Sequence, residues 1–316
     1  SSNYSLILVI RYGTFPHIML ILMRTLIRII TSGITIICTT VLQAHEIADS
    51  STSASLILAR NFNNQIDVKQ TANTVSIKSN GIPNHETGDF PRRGNPHTIK
   101  EQKNILYFTK KPKKTGYVTP SKFFRVAVNI VMFVPETAEF WSPEKQLAQS
   151  ITKKSSSALN RPIPRTRNNR PCGWREEAIV SSQKRLGLDM NNAHVQPNGM
   201  YHYHGIPVGL IQTQKKPDDL IHVGFAGDGF KIFTSMRNKF ESSYQLKNGS
   251  RNGGPGGVHD GTYTQDFEFK HGTGNLDECN GINTGEHGYI YLITEEFPFI
   301  PRCWKGSPHP SFKSRP

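Results

Sequence analysis

The segment 192–205, with the sequence NAHVQPNGMYHYHG, constrains the fold more than any other part of the chain. In its central Pro-Asn-Gly at 197–199, proline and asparagine suit the middle of a type I turn, and glycine suits the left-handed residue that follows. Such a three-residue loop predicts a β-hairpin with a bulge, in which Gln196 pairs with Met200. The chain is therefore expected to contain two adjacent antiparallel strands here.

The predicted register brings three histidines to one side of the hairpin. His194 lies directly opposite His202, and because side chains alternate along a strand, His202 and His204 share a face. Tyr201 and Tyr203 point to the opposite face. Three imidazoles that converge on two neighbouring strands are typical of a metal site, and an all-histidine site favours copper or zinc. The alternative is a polar structural network in which each ring has its own hydrogen-bond partner.

Other residues are candidates for supporting this site. Asn192 belongs to the same motif and is expected to support the ligands. Asp228 and His222 flank a glycine-rich corner, which can bring a side chain close, so they are possible further ligands. An added acid would also make an Fe(II) site possible.

The acidic turns near the C-terminus offer a second kind of site. Their oxygen donors lie near glycines, as is typical of Ca²⁺ sites, although the spacing does not fit an EF-hand. The alternative is that these acids cap turns and pair with the abundant Lys and Arg residues. The residues concerned are Asp260, Asp266, Asp277, Glu278 and Asn280.

Composition indicates the fold class. Only 36% of the 316 residues are hydrophobic, whereas Gly (26) and Pro (20) are plentiful, which favours many turns and short strands. Alternating or apolar runs predict strands at 105–109, 222–233 and 288–294, and the run 124–134 predicts a buried central strand. Residues 174–186 are the one good helix candidate. The prediction is a mainly β fold, a single β-sandwich or distorted barrel with long loops.

The positive charge of the chain bears on its partners. With 38 Lys and Arg against 24 Asp and Glu, the formal net charge is +14, which favours anionic partners such as acidic polysaccharide or a cell-surface polymer. Solubility of a basic secreted protein is the alternative explanation. Basic and aromatic residues do not interleave as in nucleic-acid modules, so no nucleic-acid partner is expected.

The N-terminal region has the pattern of a targeting segment. From 23 to 44, two arginines precede an uncharged core and a possible cleavage site, which predicts a signal peptide and a secreted, periplasmic or extracellular protein. Residues 1–22 are interpreted as upstream translation, and 45–65 as a loose leader before a β domain at 66–312. The core is short for a membrane span, so no transmembrane domain is expected in the mature chain. An uncleaved anchor is the alternative.

Cysteine usage agrees with export. Removal of the signal leaves Cys172, Cys279 and Cys303, an odd number without the CxxC spacing of zinc knots. In an oxidising compartment one pair is expected to form a disulfide, and the two C-terminal cysteines are the predicted pair.

A series of sequence words resembles the YHYH domain family, which is named for the tetrapeptide at 201–204. The resemblance covers about 66–312, except a basic, proline-containing insertion at 142–173. It implies an exported, β-rich protein of uncharacterised chemistry. The words are GIPNH (81–85), TAEFW (137–141), NAHVQPNGMYHYHG (192–205), DGF (228–230), LDECNG (276–281) and FPFIPR (297–302).

Three functional hypotheses follow from these features. The first is an exported metal-binding protein without turnover. The second is a metalloenzyme, a hydrolase or oxidase, in which three histidines leave an open coordination position, with His85, Asp89 or Glu278 as the general base. The third is a surface or matrix-binding module in which the histidines are structural.

Overall fold

β-Strands dominate the part of the chain that the computed structural model describes, which comprises residues 64–121, 125–143, 173–179, 186–214, 219–237 and 239–312. The predicted upstream segment 1–22, the signal peptide 23–44, most of the leader and residues 144–172 of the basic insertion lie outside these ranges. The first eight strands are β1 (Ile66–Gln70), β2 (Thr74–Ser79), β3 (Asn104–Thr109), β4 (Lys114–Pro120), β5 (Arg125–Ala127), β6 (Met132–Phe133), β7 (Ala193–Val195) and β8 (Tyr201–Tyr203). They are followed by a short helix α1 (Val208–Gln212), β9 (Leu220–Ala226), β10 (Lys231–Ser235), β11 (Tyr244–Leu246), β12 (Phe267–Phe269), β13 (Gly281–Thr284), β14 (Gly288–Ile293) and β15 (Cys303–Gly306).

An eight-stranded mixed sheet organises the described residues. Its strand order is β13-β14-β10-β9-β5-β6-β8-β7, with parallel pairing of β10 with β14 and of β6 with β8. β13 and β7 are its edges, so this sheet does not close into a barrel. Three smaller sheets are formed by β1-β2-β3, by β11-β12 and by β15-β4. The predicted mainly β fold is confirmed.

The large sheet is buried on both faces in its middle. Val126, Val223 and Ile232, from three neighbouring strands, are fully buried in the main hydrophobic cluster, and Leu106 and Phe108 of β3 pack into the same cluster. Strands that are buried on both faces have apolar residues at nearly every position, so their sequences do not alternate between apolar and polar residues. The hairpin β7–β8, which carries the histidines, lies at one edge of this sheet.

The apolar run 124–134 contains a turn instead of one continuous strand. β5 pairs with β6 in an antiparallel hairpin, and Ile130 between them has a φ of 62°. The Asn129 side chain accepts a hydrogen bond from the Val131 backbone at 3.3 Å, which stabilises the turn locally. The prediction of a single central strand is therefore wrong. The predicted strands at 105–109, 222–233 and 288–294 are confirmed as β3, β9–β10 and β14.

The predicted helix does not begin near residue 174. Arg175 and Glu176 instead form isolated bridges with Phe140 and Tyr263. The buried Glu177 accepts hydrogen bonds from Thr264 and, at 2.7 Å, from Arg302. These partners are distant in sequence, and they override the local helical pattern. Residues 180–185 lie outside the described part of the chain.

A disulfide joins Cys279 to Cys303 across 24 residues. Both cysteines are buried, and the bond ties the turn before β13 to the start of β15. Closing a loop of this length stabilises the folded state by about 3 kcal/mol in the chain-entropy model. We expect the double variant Cys279→Ser/Cys303→Ser to lose about that much free energy of unfolding in urea titrations. Unchanged stability would mean that the bond does not constrain the unfolded chain.

Candidate metal centre

The hairpin β7–β8 has the predicted register. His194 pairs with His202, and the Gln196 backbone N–H donates to the Met200 carbonyl at 2.9 Å. Gly199 has a φ of 88°, and a Cβ at this position would lie 2.5 Å from the Lys100 side chain, so both conformation and space require glycine. The turn chemistry therefore fixes which residues face each other.

Three imidazoles meet on one face of this hairpin. The Nε2 atom of His204 lies 3.0 Å from that of His202 and 3.1 Å from that of His194. The candidate ligand atoms of all three rings lie within 4.8 Å of one another, and this is the one group of three or more potential metal ligands among the described residues.

Backbone carbonyls determine which ring nitrogens are free to coordinate. The Nδ1 atom of His194 lies 2.9 Å from the Leu186 carbonyl, and that of His202 lies 3.2 Å from the Met200 carbonyl. Because a carbonyl oxygen can only accept, the ring proton of each lies on Nδ1. The Nε2 atom of each of these two rings therefore carries a free lone pair, and both Nε2 atoms lie next to the Nε2 of His204. This use of Nδ1–H is the usual way in which proteins orient histidine ligands.

Burial keeps these histidines neutral. His202 and His204 are almost completely buried, and desolvation lowers the pKa of each well below its ordinary value, with the neighbouring imidazoles lowering it further. Burial also lowers the pKa of His194, although the Leu186 carbonyl opposes the shift. Neutral imidazole is the form that binds metal, so the rings are ready as ligands at neutral pH.

The spacing of the nitrogens fits one metal ion. Ligands about 2.0–2.1 Å from a tetrahedral metal are about 3.3 Å apart. The two Nε2 separations of 3.0 and 3.1 Å are within a few tenths of an ångström of that value. Without a metal, the Nε2 of His204 faces the Nε2 lone pairs of both His194 and His202. It carries at most one proton, so it can donate a hydrogen bond to only one of them. The residues present therefore fit a three-histidine metal site.

The opposite face of the hairpin is a hydrogen-bonded scaffold. The Tyr201 hydroxyl donates to the Asp189 carboxylate at 2.7 Å and accepts from the Asn191 side chain at 3.1 Å. Asp189 also accepts from the backbone N–H groups of Asn191 and Ala193, at 2.8 and 3.2 Å. Asn192, next to this turn, has a φ of 53° and donates from its side chain to the Ile206 carbonyl at 3.0 Å. These contacts place the strand that carries His194.

Tyr203 is part of the same scaffold. It is fully buried and hydrogen-bonded to His85, and it accepts from the Asn129 side chain at 3.0 Å. The His85 Nδ1 faces the Glu86 carbonyl at 2.8 Å, so its Nε2 accepts the proton of the tyrosine. His85, predicted as a possible general base, therefore lies on the tyrosine face, away from the three histidines.

The two further ligands that the sequence suggested do not join the cluster. His222, on β9, packs against Phe225 and Phe233 with ring centroids 4.8 and 5.2 Å apart. Asp228 accepts hydrogen bonds from the Tyr291 hydroxyl at 2.7 Å and the Gly306 backbone at 2.9 Å. Both sit around β9 and β10, which the sheet order separates from β7 and β8 by β5 and β6.

His222 predicts a measurable pH dependence. Burial, and then Lys231, lower the pKa of this imidazole from its usual 6.5 to about 4. The unfolded chain therefore takes up a proton between pH 6.5 and 4 that the folded chain does not, so stability falls as the pH falls through this window and is unaffected above it. At pH 4.5 the loss is about 2–3 kcal/mol. We expect His222→Phe to show that much less acid destabilisation between pH 7 and 4.5 in urea unfolding, and parallel pH profiles for the two proteins would contradict it.

The acidic turns pair with basic residues of the chain. Glu278 and Asp277 lie 2.6 and 3.4 Å from the Lys305 ammonium. Asp277 also accepts from the Tyr289 hydroxyl at 2.9 Å, and Asp260 pairs with Arg251. Glu278, predicted as another possible base, thus lies beside the disulfide. Asp89, the third, is exposed in the loop that follows His85.

A cavity of about 610 Å³ opens above the three histidines, and the sequence patterns missed several of its residues. Its other walls come from the loop 94–97 and the segment 136–139, which includes His97, Glu136 and Glu139. The charges of Glu139 and His97 both act on the His194 ring. The word TAEFW contains Glu139, but no local pattern predicted that this side chain, Glu136 or His97 would lie beside the hairpin.

Comparison with known proteins adds a family to this geometry. A family model described as YHYH protein matches residues 106–306, which is more than half of the chain and contains the complete hairpin. The chain belongs to the YHYH protein family. Comparisons with curated proteins and with solved structures found no match. The YHYH tetrapeptide of this family member supplies two of the three converging imidazoles, and the residue eight positions earlier than His202 supplies the third.

Within the described ranges of the chain, no helix is both long enough and apolar enough to cross a bilayer.

Proposed function

We propose that this chain binds a divalent transition metal through His194, His202 and His204. The observation that carries the proposal is the convergence of three Nε2 atoms, two of them with their lone pairs directed by carbonyls behind the rings. A structural network is the competing explanation, but in it the single Nε2 of His204 faces the Nε2 atoms of both His202 and His194 and cannot donate a proton to both. Binding of all three Nε2 atoms to one ion satisfies the lone pairs that the network cannot.

Copper and zinc are the favoured metals. The site has imidazole ligands and no thiolate, and imidazole suits Cu(II) and Zn(II) better than it suits the hard cations Mg²⁺ and Ca²⁺. Cu(II) binds nitrogen ligands more tightly than Zn(II) does in the general affinity order of these metals, so metal supply decides which ion is found.

Export is the second part of the proposal. The disulfide between Cys279 and Cys303 supports an oxidising compartment, where such bonds persist. The signal-peptide pattern at 23–44 supports it independently. An exported protein with a formal charge of +14 is also suited to contact with acidic surface polymers.

Metal analysis tests the proposal. Protein purified from the periplasm of an expression host is expected to carry one equivalent of copper or zinc per chain, measured by plasma mass spectrometry. After chelation, the metal-free protein is expected to rebind one equivalent with a rise in melting temperature, because a ligand that binds only the folded state stabilises it. Protein that neither carries nor rebinds metal would overturn the proposal.

A further inference from the structure

The cavity above the three histidines contains charged groups of one sign. Its charged side chains other than histidine are Glu136 and Glu139, and no described lysine or arginine lines it. Glu136 is neutralised by Arg175, whose Nε lies 3.3 Å from its carboxylate. Glu139 has no ion-pair partner among the described residues, and its charge acts on His194. An unpaired carboxylate beside a metal site is a candidate for proton transfer.

The backbone of Glu139 is held firmly in place. Its N–H donates to the Thr137 hydroxyl at 3.3 Å, and its carbonyl accepts from the Glu176 N–H at 3.0 Å. Arg175 fastens the same segment from the other side, since it contacts the Thr137 carbonyl and lies 4.2 Å from the centre of the Phe140 ring. The backbone from which the Glu139 side chain extends is therefore fixed by contacts with Arg175 and Glu176.

Glu139 stands outside the ligand sphere. It does not belong to the group whose ligand atoms all lie within 4.8 Å of one another, whereas two ligands of one tetrahedral ion are about 3.3 Å apart. Its carboxylate is therefore too far from at least one histidine nitrogen to share the ion with all three. Glu139 therefore lines the same cavity as the three histidines without belonging to their group of ligand atoms.

A buried amide in the wall of this cavity has an acceptor without a partner among the described residues. Asn95 is almost fully buried in its wall and donates from Nδ2 to the Val195 carbonyl at 2.9 Å. The Oδ1 of the same side chain is buried and accepts no hydrogen bond from a described residue. Buried acceptors of this kind normally have a partner, so a donor supplied by water or a ligand is expected here.

We propose that the YHYH site hydrolyses neutral carboxylic esters, with Glu139 as the general base. This inference rests on the proposed function, because the three histidines must hold the metal. Three protein ligands leave a coordination position open for water, as in catalytic zinc sites. Gln196 and Asn198 line the mouth of the cavity and provide uncharged hydrogen-bonding groups for a substrate.

The proposed reaction balances without an oxidant or reductant. Glu139 accepts a proton from the attacking water as its oxygen bonds to the ester carbonyl carbon. The bond between that carbon and the alcohol oxygen then breaks, and Glu139 returns the proton to the departing alkoxide. That transfer regenerates the carboxylate of Glu139, and the acid product then releases its own proton to solvent, so the products are a carboxylate, an alcohol and a proton. The lining favours a neutral substrate, because it offers Gln196 and Asn198 as uncharged partners and no described lysine or arginine that could pair with an anionic group.

The test uses the full metal-loaded protein and para-nitrophenyl acetate. Glu139→Gln is expected to lower kcat/KM by more than about 100-fold, the usual contribution of a general base, while its metal content stays at one equivalent. Glu139→Asp is expected to recover part of the activity. Glu286→Gln serves as the matched control and should leave the rate unchanged, because Glu286 is exposed, forms an ion pair with the adjacent His287 and does not line the cavity.

Each alternative outcome has a separate meaning. If metal-loaded protein hydrolyses the ester no faster than metal-free protein, the hydrolase inference is overturned and metal binding stands. If Glu139→Gln loses the metal, the residue is a ligand and its role as base is overturned. Faster turnover of para-nitrophenyl phosphate than of the acetate overturns the substrate class. Absence of metal in the wild-type protein overturns the proposed function itself.

Discussion

Replacing His202 by alanine is expected to abolish stoichiometric metal binding. The ring is buried, its Nδ1 is engaged by the Met200 carbonyl and its Nε2 lies 3.0 Å from that of His204. Removing one of three ligands leaves two, and we expect the affinity for Zn(II) to fall by more than the roughly 10–100-fold that loss of a mere supporting contact causes. Isothermal titration of the metal-free variant with Zn(II) measures the loss directly.

Two further variants make this result interpretable. His194→Ala removes the least buried of the three rings, so it should weaken metal binding with little effect on folding. It therefore tests the site even if the His202 variant does not fold. His222→Phe changes a histidine outside the cluster and should bind metal normally. If His202→Ala folds and binds with wild-type affinity, the three-histidine site is contradicted.

Replacing Asp189 by alanine is expected to lower the free energy of unfolding more than any of the other substitutions proposed above. This buried carboxylate accepts five hydrogen bonds, from the Tyr201 hydroxyl, from the side chain and backbone of Asn191, and from the backbones of Ala193 and Gly88. Removing it leaves these donors without their acceptor, and we expect the free energy of unfolding to fall by about 3–5 kcal/mol. Because the turn at 189–193 leads directly into β7, metal affinity should weaken as well.

Urea unfolding of metal-free protein measures this effect without a contribution from the ligand. The Asp189→Asn variant retains one acceptor oxygen, so its free energy of unfolding should fall by about half as much. Asp67→Ala, on the exposed strand β1, is the matched control and should change stability by less than about 0.5 kcal/mol. A loss below 1 kcal/mol for Asp189→Ala would show that the turn is held by other contacts.

Local chemistry explains what the sequence predicted correctly. The loop at 197–199 combines a proline, an asparagine and a left-handed glycine, and these alone determine the register that places His194 opposite His202. The alternation of side chains then separates the histidines from the tyrosines. The main elements of the candidate site were predictable because all three histidines lie within eleven consecutive residues.

Long-range packing explains what the sequence did not predict. The turn at Ile130 is hidden in an apolar run, because it is buried beneath neighbouring strands and needs no polar surface. In place of the helix expected from residue 174, Arg175 and Glu176 form bridges with Phe140 and Tyr263, which are distant in the sequence. Tertiary partners of this kind override local propensity.

The same reason applies to the remaining site residues. Asp228 and His222 were candidates because a glycine-rich corner can approach the hairpin, but strand order places them elsewhere. Glu139 lies in the word TAEFW, but its place in the cavity depends on the pairing of its segment with Arg175 and Glu176, which are distant in the sequence. Neither strand order nor such a bridge can be deduced from spacing in one sequence.

X-ray absorption spectroscopy of the zinc-loaded protein is the most direct test of the central claim. We predict that three imidazole nitrogens of His194, His202 and His204 surround the zinc at about 2.0–2.1 Å, with one further light ligand at an open position. The His202→Ala protein measured in the same way should lose one imidazole from this shell. A zinc environment dominated by carboxylate oxygens, or one that is identical in wild-type and His202→Ala protein, would contradict it.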